Sequence, residues 1–440
     1  MGLKPPASDT IGLAPRRAAL AALKACFEQG RPLDKAFAPN RERLGPKDAG
    51  LGWAICQQVA RERLRLKQLK RGFLRRPLPK KAADAGLILD IALTEILMLG
   101  SAPHGAINAA VELTKRHKLP AVKAVSGLVN GVLRNVLRRQ EDGSLHLPPA
   151  EKALPPWLAK RWQKRDAGAL ATLYLEEPQL TITPKTAAAR EVLISADGQA
   201  VGRSVTFPPG TAPQRLPGYA EGAFWVQDRA AALPACILAP KPGALCYDLC
   251  AAPGGKTLQL AAMGAQVHAV DISETRLARL KDNLDRTGLS ADSEVADLLD
   301  WLPPIAAPFV LLDAPCTALG TFRRHPDVLH HRRESDIADA ATRQLALLEK
   351  AWTALMPGGQ LVYAVCSLEP EEGRDVVDAF AENRDDAALI TLDPKDWDLP
   401  TECADGAGAL VTLPHLFTEI GGADGFFIAK LERKRETIGA

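Results

Sequence analysis

From Gly243 onward, short apolar runs alternate with amphipathic stretches, and this alternation restricts the chain to a narrow set of folds. ALCYDL is followed by TLQLAAM, QVHAV by ETRLARLKDNL, FVLLD by ATRQLALLEKAWTAL, and QLVYAV by EEGRDVVDAFAE. A helix between two strands carries the chain back across one face of the sheet, so successive strands lie parallel. The order predicts a doubly wound, Rossmann-like α/β sheet. GALVTLP and GFFIAKLER read as closing strands, the last as one of an antiparallel pair.

Upstream the pattern differs. From Arg16 to Arg139 apolar residues recur at helical spacing, as in Leu87–Leu99 and Ile107–Lys118, which predicts an all-α bundle. Gln140–Trp157 is polar and proline-rich and reads as a linker. Leu158 to about Leu238 reads as a small mixed α/β segment, with a helix over AKRWQKRDAGALATLYL and a strand at QLTIT. The expected domains are therefore 13–140 (helical), 141–157 (linker), 158–238 (small α/β) and 239–434 (doubly wound).

A chain of 440 residues that is 47% hydrophobic can bury more than one core. Its longest uncharged stretch, Ala351–Leu368, is interrupted by Pro357-Gly358-Gly359, so no transmembrane helix is expected. MGLKPPASDTIGLAPRRAAL lacks the apolar core of a secretory leader, and the cytoplasm is the expected compartment. The eight cysteines form no CxxC pair and have no close histidines in sequence, so no metal is expected and most read as buried packing. The net charge of +3 conceals an asymmetry. Residues 1–140 hold 26 Lys+Arg against 10 Asp+Glu, net +16, and the remainder 29 against 42, net −13. The basic half culminates in RERLRLKQLKRGFLRRPLPKK, Arg61–Lys81, which is either a solvated helix face or a nucleic-acid contact.

Strand ALCYDL runs into CAAPGGKT, a small-residue loop opening a helix, where a sheet of this type holds a nucleotide ligand. A phosphate loop of the Walker type is excluded by spacing, because the glycine it requires five places before Gly255 is Cys250. Asp271, ending the second strand, is placed to accept hydrogen bonds from the ribose hydroxyls of an adenosine cofactor. Asp297, after a third short strand, can contact the adenine amino group. Either aspartate alone is as readily a helix cap.

FVLLDAPCTALGTFRRHPDV puts Asp313, Pro315 and Cys316 directly after a buried strand, and QLVYAVCSLEPEEG puts Cys366 at the end of the next. A single buried cysteine is ordinarily inert. Two at neighbouring strand ends can face one pocket beside the cofactor. Arg323, Arg324 and His325 follow the first motif and are candidates either for RNA contact or for shaping the turn that Pro326-Asp327 continues.

Taken together, DLCAAPGGKT, DAPCTALGTFRRHPD and VCSLEPEEG closely resemble the RNA (cytosine-5) methyltransferases of the NOL1/NOP2/Sun family, over essentially the whole chain. The region around PHGAINAAVELTKRHK and GLVNGVLRNVLR resembles NusB, an RNA-binding helical domain, and that fusion is like the bacterial subgroup that methylates 16S ribosomal RNA. The resemblance implies S-adenosylmethionine as cofactor, contacted by the loop Cys250, Ala251, Ala252, Pro253, Gly254, Gly255 and Lys256 and by Asp271, Asp297 and Asp313. It implies RNA as partner, 16S rRNA or a small-subunit assembly intermediate; a monomer is expected. Carbon 5 of cytosine is a poor nucleophile, and a thiolate adding at carbon 6 makes it an enamine that can take a methyl group. The residues leave open which cysteine adds. A carboxyl group near ring nitrogen 3 would stabilise the charge that develops during addition, and Asp313 at its strand end is placed for that. The resemblance assigns the nucleophile to Cys366 and product release to Cys316.

The chain departs from the family pattern at Val365, where Thr is common, at Thr317-Ala318, where Ser-Gly is common, and in QLTIT, which lacks the usual Arg and Asn. A transfer RNA or large-subunit rRNA methyltransferase would share every catalytic residue. An inactive RNA-binding assembly factor would have no reason to retain Lys256, Asp271, Asp313, Cys316 and Cys366 together.

Overall fold

The computed structural model describes residues 12–382 and 384–435. Most of MGLKPPASDTIGLAPRRAAL, where no secretory leader is expected, lies outside them. Among the described residues no helix is long and apolar enough to cross a membrane. Two compact units are present, one running to Glu176 and including His325–His331, the other comprising Glu177–Arg324 and the chain from Arg332 onward.

The first unit is helical, with its main helices at Leu13–Gln29, Leu33–Arg41, Pro46–Arg71, Ala83–Leu97, Pro103–Lys115 and Ser126–Glu141. Ala83–Leu97 is apolar around most of its circumference and is buried accordingly. The acids it carries inward are paired: Glu95 with Arg16 (2.5 Å), Asp90 with Lys70 (2.5 Å) and Asp84 with Lys24 (2.8 Å). The single helix expected over AKRWQKRDAGALATLYL is broken. Asp166 turns to φ 57° and its carboxylate accepts the Ala169 N–H (3.0 Å), separating Pro156–Arg161 from Ala167–Leu175. A local cap competes successfully with helix continuation here.

The basic run Arg61–Lys81 is also less uniform than its sequence. Arg61 is buried and donates to the Glu176 carbonyl (3.2 Å), Arg65 to Glu62 and the Pro148 carbonyl, and Lys70 to Asp90 and the Gly86 carbonyl, while Arg63 stacks on Phe27 (3.6 Å). Lys67, Arg71, Arg75, Arg76, Lys80 and Lys81 are exposed. Within the same unit Asp327 accepts the Leu33 N–H (3.0 Å), and the Tyr174 hydroxyl donates to the Pro326 carbonyl (3.0 Å). Cys26 Sγ lies 3.4 Å from His331 Nε2, a thiol–histidine neighbourhood that 305 residues of separation hide from any reading of sequence spacing.

The second unit begins with a four-stranded antiparallel sheet: β1 (Leu180–Pro184), β2 (Gln199–Val201), β3 (Ser204–Phe207) and β4 (Phe224–Val226), in order β2-β3-β1-β4. Ile182, Leu193, Val205, Phe207 and Phe224 form its core. The large sheet contains β5 (Leu245–Leu249), β6 (Gln266–Asp271), β7 (Asp292–Val295), β8 (Ala307–Asp313), β9 (Leu355–Val365), β10 (Ala387–Ile390), β11 (Leu410–Thr412) and β12 (Phe426–Arg433). Its order is β10-β12-β9-β8-β5-β6-β7, with β11 paired to β12.

Strands β5 to β9 are mutually parallel, with helices in the β5–β6, β6–β7 and β8–β9 connections and none between β7 and β8, and β12 is antiparallel to β9, β10 and β11. The strand order reverses between β5 and β8, which opens a crevice at their carboxyl ends. Pro357-Gly358-Gly359 lies inside β9, where the pairing with β8 slips between Ala307 and Phe309, so the uncharged stretch there is a helix end followed by a strand. The closing antiparallel strands match the expectation. Strand β10, four half-buried residues without alternation, carried no readable signal.

Candidate active site

Every chemically interesting motif ends on the carboxyl edge of the parallel strands. After β5, Cys250 adopts φ 61° and Gly254 φ 104°, so the loop Cys250–Lys256 folds tightly into the helix Gly255–Ala262. Gly254 is required by packing as well as by its dihedral: a Cβ there would stand 2.2 Å from Leu280 Cδ1. The glycine thus lets a neighbouring helix approach the loop. Asp271, 3% exposed, accepts the Ala252 N–H (3.0 Å) and the Ser273 N–H (2.9 Å), tying the loop to the end of β6. Asp297 accepts the Leu299 N–H (3.1 Å).

Cys250, Asp271, Ile272, Asp297, Leu298 and Pro315 contribute to the walls of a cavity of about 160 Å³. The lining mixes apolar side chains with two carboxylates and the arginines Arg276 and Arg343, and it suits an adenosine group, whose base needs an apolar slot and whose hydroxyls need acceptors. Burial, and then the nearby Asp271, Asp313 and Asp248 charges, push the Cys250 thiol up to about 12, so it lines the cavity as an inert wall.

On the other side of the crevice, Lys256 Nζ lies 2.8 Å from Asp313 Oδ2 and 5.1 Å from the Phe426 ring centre. Because β8 and β9 are neighbours in register, with Asp313 opposite Ala364, their continuations stay side by side. The Ala314 N–H donates to the Ala364 carbonyl (2.9 Å) and the Gly320 N–H to the Cys366 carbonyl (3.0 Å). Gly320 packs against Gly425 so closely that a Cβ would lie 2.0 Å from the Gly425 carbonyl oxygen. As a result Cys316 Sγ and Cys366 Sγ are 3.2 Å apart. The Cys316 thiol is held well above its usual range, first by the hydrogen bond with Cys366, then by burial and by the Cys366 and Glu372 charges. The Ala318 N–H points at Cys316 Sγ (3.3 Å) from a residue in the left-handed region, φ 60°.

The structure brings Cys250, Asp271 and Asp297 to one cavity at the carboxyl edge, pairs Lys256 with Asp313, and sets Cys316 against Cys366. Of the two roles open to Arg323 and Arg324, RNA contact or shaping the turn, the contacts favour the second. Arg323 is buried and donates to the Gly421 carbonyl, and Arg324 is paired with the buried Asp424, whose own N–H donates to Asp228 (3.0 Å). These arginines shape the turn. Reasoning from sequence also missed the buried Glu372 and Gln344 behind the two cysteine loops; the one available signal was the acidic PEEG that follows Cys366.

Comparison with known proteins points the same way. Residues 235–432 match the family described as 16S rRNA methyltransferase RsmB/F, and residues 13–138 match the NusB family. The chain is 35% identical to ribosomal RNA small subunit methyltransferase B of Salmonella typhi, over 95% of this chain and 98% of that one. The protein of the same name from Salmonella paratyphi B is 34% identical with the same coverage. Among solved structures, that of PH0851 has a TM-score of 0.75 at 22% identity, covering 96% of this chain and 99% of the other. A methyltransferase homolog from Pyrococcus horikoshii gives 0.52 at 27% identity, covering 63% and 94%.

Proposed function

Since the chain belongs to the 16S rRNA methyltransferase RsmB/F family, we propose that it methylates carbon 5 of a cytosine in 16S ribosomal RNA, through a covalent cysteine adduct at carbon 6. The observation that carries this reading is the pair of sulfurs 3.2 Å apart beside the Lys256–Asp313 ion pair. S-adenosylmethionine supplies an electrophilic methyl group when bound. Asp271 and Asp297 would hold its adenosine portion, with the Cys250–Lys256 loop and Asp313 lining the rest of the site.

Cys366 adds to carbon 6 of the unstacked cytosine, and carbon 5 gains the nucleophilic character it lacks on its own. Cys316 retains its proton and donates it toward Cys366, the polarity that a nucleophilic Cys366 needs. Addition drives electron density onto ring nitrogen 3, which takes up a proton from water, and Asp313, held by Lys256, accepts a hydrogen bond from the resulting N–H. After transfer a water molecule takes the carbon 5 proton, that C–H electron pair re-forms the carbon 5–carbon 6 double bond, the sulfur–carbon 6 pair leaves on Cys366 as thiolate with the Cys316 S–H hydrogen-bonding to the departing sulfur, and ring nitrogen 3 returns its proton to water. Cys316 assists this release.

Residues 13–140 form the RNA-holding domain in this reading, 141–157 the linker, 158–238 the small α/β segment and 239–434 the methyltransferase domain. A cleft of about 600 Å³ with Lys67, Arg71, Lys152 and Lys160 in its walls supports phosphate binding by the helical unit. The protein acts as a monomer in the cytoplasm, on 16S rRNA or a small-subunit assembly intermediate, without a metal.

The test is S-adenosylmethionine-dependent tritium release from RNA labelled at cytosine carbon 5. Release by the natural protein, none by Cys366→Ala, and a trapped protein–RNA adduct in Cys316→Ala are expected. An adduct trapped in Cys366→Ala instead would reverse the two roles, and no release by the natural protein from 16S rRNA would refute the activity.

A further inference from the structure

Glu372 takes no part in the chemistry above, yet it is fully buried, 0% exposed, directly behind both cysteine loops. A carboxylate in that setting is tolerated only when donors surround it. Oε1 accepts the hydroxyls of Thr317 and Ser367 (2.5 Å for Ser367), and Oε2 accepts the Thr317 N–H (2.7 Å) and Gln344 Nε2 (3.1 Å). Four donors fill the acceptor capacity of the group. Gln344 Nε2 also reaches the Pro315 carbonyl (3.1 Å), and the Glu372 carbonyl accepts the Tyr363 hydroxyl (2.6 Å). Thr317 follows Cys316 in the chain, and Ser367 follows Cys366. One carboxylate therefore grips the residue after each thiol.

The grip is uneven. Cys366 directly follows β9, whose pairing with β12 runs to Val365 opposite Phe427, and its carbonyl is bonded to Gly320. Cys316 lies past the last paired residue of β8, in a turn strained at Ala318. That turn is held at Pro315 by Gln344, at Thr317 by two bonds to Glu372, and at the Thr317 carbonyl by Arg332 (2.8 Å).

We propose that Glu372 is a positioning residue that holds Cys316 against Cys366, so that its loss impairs the release step and leaves covalent addition intact. The inference rests on the division of roles between the two cysteines proposed above. The Glu372 charge also favours the protonated Cys316 thiol, in keeping with a thiol that stays uncharged beside the nucleophile.

The experiment compares Glu372→Ala, Glu372→Gln and Cys316→Ala in the full chain, reading turnover, the fraction of protein trapped on RNA, and S-adenosylmethionine affinity by calorimetry. Glu372→Ala should lose at least about tenfold in turnover, as misplacement of a reacting group does, while accumulating adduct as Cys316→Ala does and binding cofactor within about twofold of the natural protein. Glu372→Gln can still accept from the Thr317 N–H and Gln344 while donating to the two hydroxyls, so it should retain more turnover and release adduct several-fold more slowly than the natural protein. Loss of turnover without adduct in Glu372→Ala, while Cys316→Ala traps it, would overturn the proposal. Natural turnover in Glu372→Ala would do the same. Should Glu372→Ala not fold, adduct release by Glu372→Gln at the natural rate overturns it and slowed release supports it. Failure of Cys316→Ala to trap adduct would instead remove the cysteine roles, and this inference with them.

Discussion

Cys316 and Cys366 stand 50 residues apart in sequence and 3.2 Å apart at sulfur, and the hydrogen bond between them holds the Cys316 thiol well above its usual range. Only a thiolate alkylates readily. Brief treatment with iodoacetamide near pH 8, followed by peptide mass spectrometry, should therefore label Cys366 well ahead of Cys316. Cys250, pushed up to about 12 by burial, should stay unlabelled. Equal labelling of Cys316 and Cys366 would contradict the assignment of the proton to Cys316.

The Lys256–Asp313 ion pair is largely buried on its lysine side, with Lys256 7% exposed. Lys256→Met keeps most of the side-chain length and removes the charge that balances Asp313. Turnover should fall by about 10²–10³-fold, in the range expected for loss of one preorganised electrostatic partner. Single-turnover methylation measures this, and a loss confined to RNA affinity would argue against a role at the reacting ring.

Ala318 occupies φ 60°, a conformation that favours glycine. Ala318→Gly relieves the Cβ strain and adds chain entropy to the unfolded state. The net effect should be stabilisation by about 0.5–1 kcal/mol, seen as a higher urea midpoint. A lowered midpoint would mean that the Cβ contributes packing that outweighs its strain.

Asp248 lies behind the loop, fully buried, and burial raises its pKa from 3.8 to about 7 against the opposing pull of the Thr257 hydroxyl (2.5 Å) and Lys256. A folded value above the unfolded one means that its stabilising contribution is complete below pH 3.8 and is lost as pH rises through about 7. Asp248→Asn does not titrate. Thermal melts between about pH 4 and 8 should show the natural protein losing stability that the variant keeps, and parallel profiles would rule this out.

The exposed part of the basic run predicts a salt effect. Arg75→Glu with Arg76→Glu should weaken RNA binding and lower the slope of log affinity against log salt by about two, one for each phosphate that is no longer neutralised. Arg61, buried on the Glu176 carbonyl, belongs to the fold, and Arg61→Ala should lower the melting temperature. An unchanged slope in the double variant would leave the helical unit without a role in holding RNA through these residues.

The local features of this protein were legible without its structure. Strand and helix periods depend on neighbours a few residues away, so β5 to β9, the helices that follow β5, β6 and β8, and the helical character of the first 140 residues could be read directly, whereas the extent of the first unit, which runs on to Glu176 and takes in His325–His331, could not. The residues at strand ends could be named because parallel connectivity puts every carboxyl terminus on one edge. Tertiary structure decided what depends on partners distant in the chain. Adjacency of β8 and β9 brings Cys316 to Cys366, burial turns Glu372 from one acid in PEEG into a clamp on both thiol loops, and the pairing of Arg324 with Asp424 removes a cation that sequence alone offers to RNA. Charge and residue type are properties of the chain, whereas the partner that neutralises a charge, or the sulfur that shares a proton, is set by packing across the sheet.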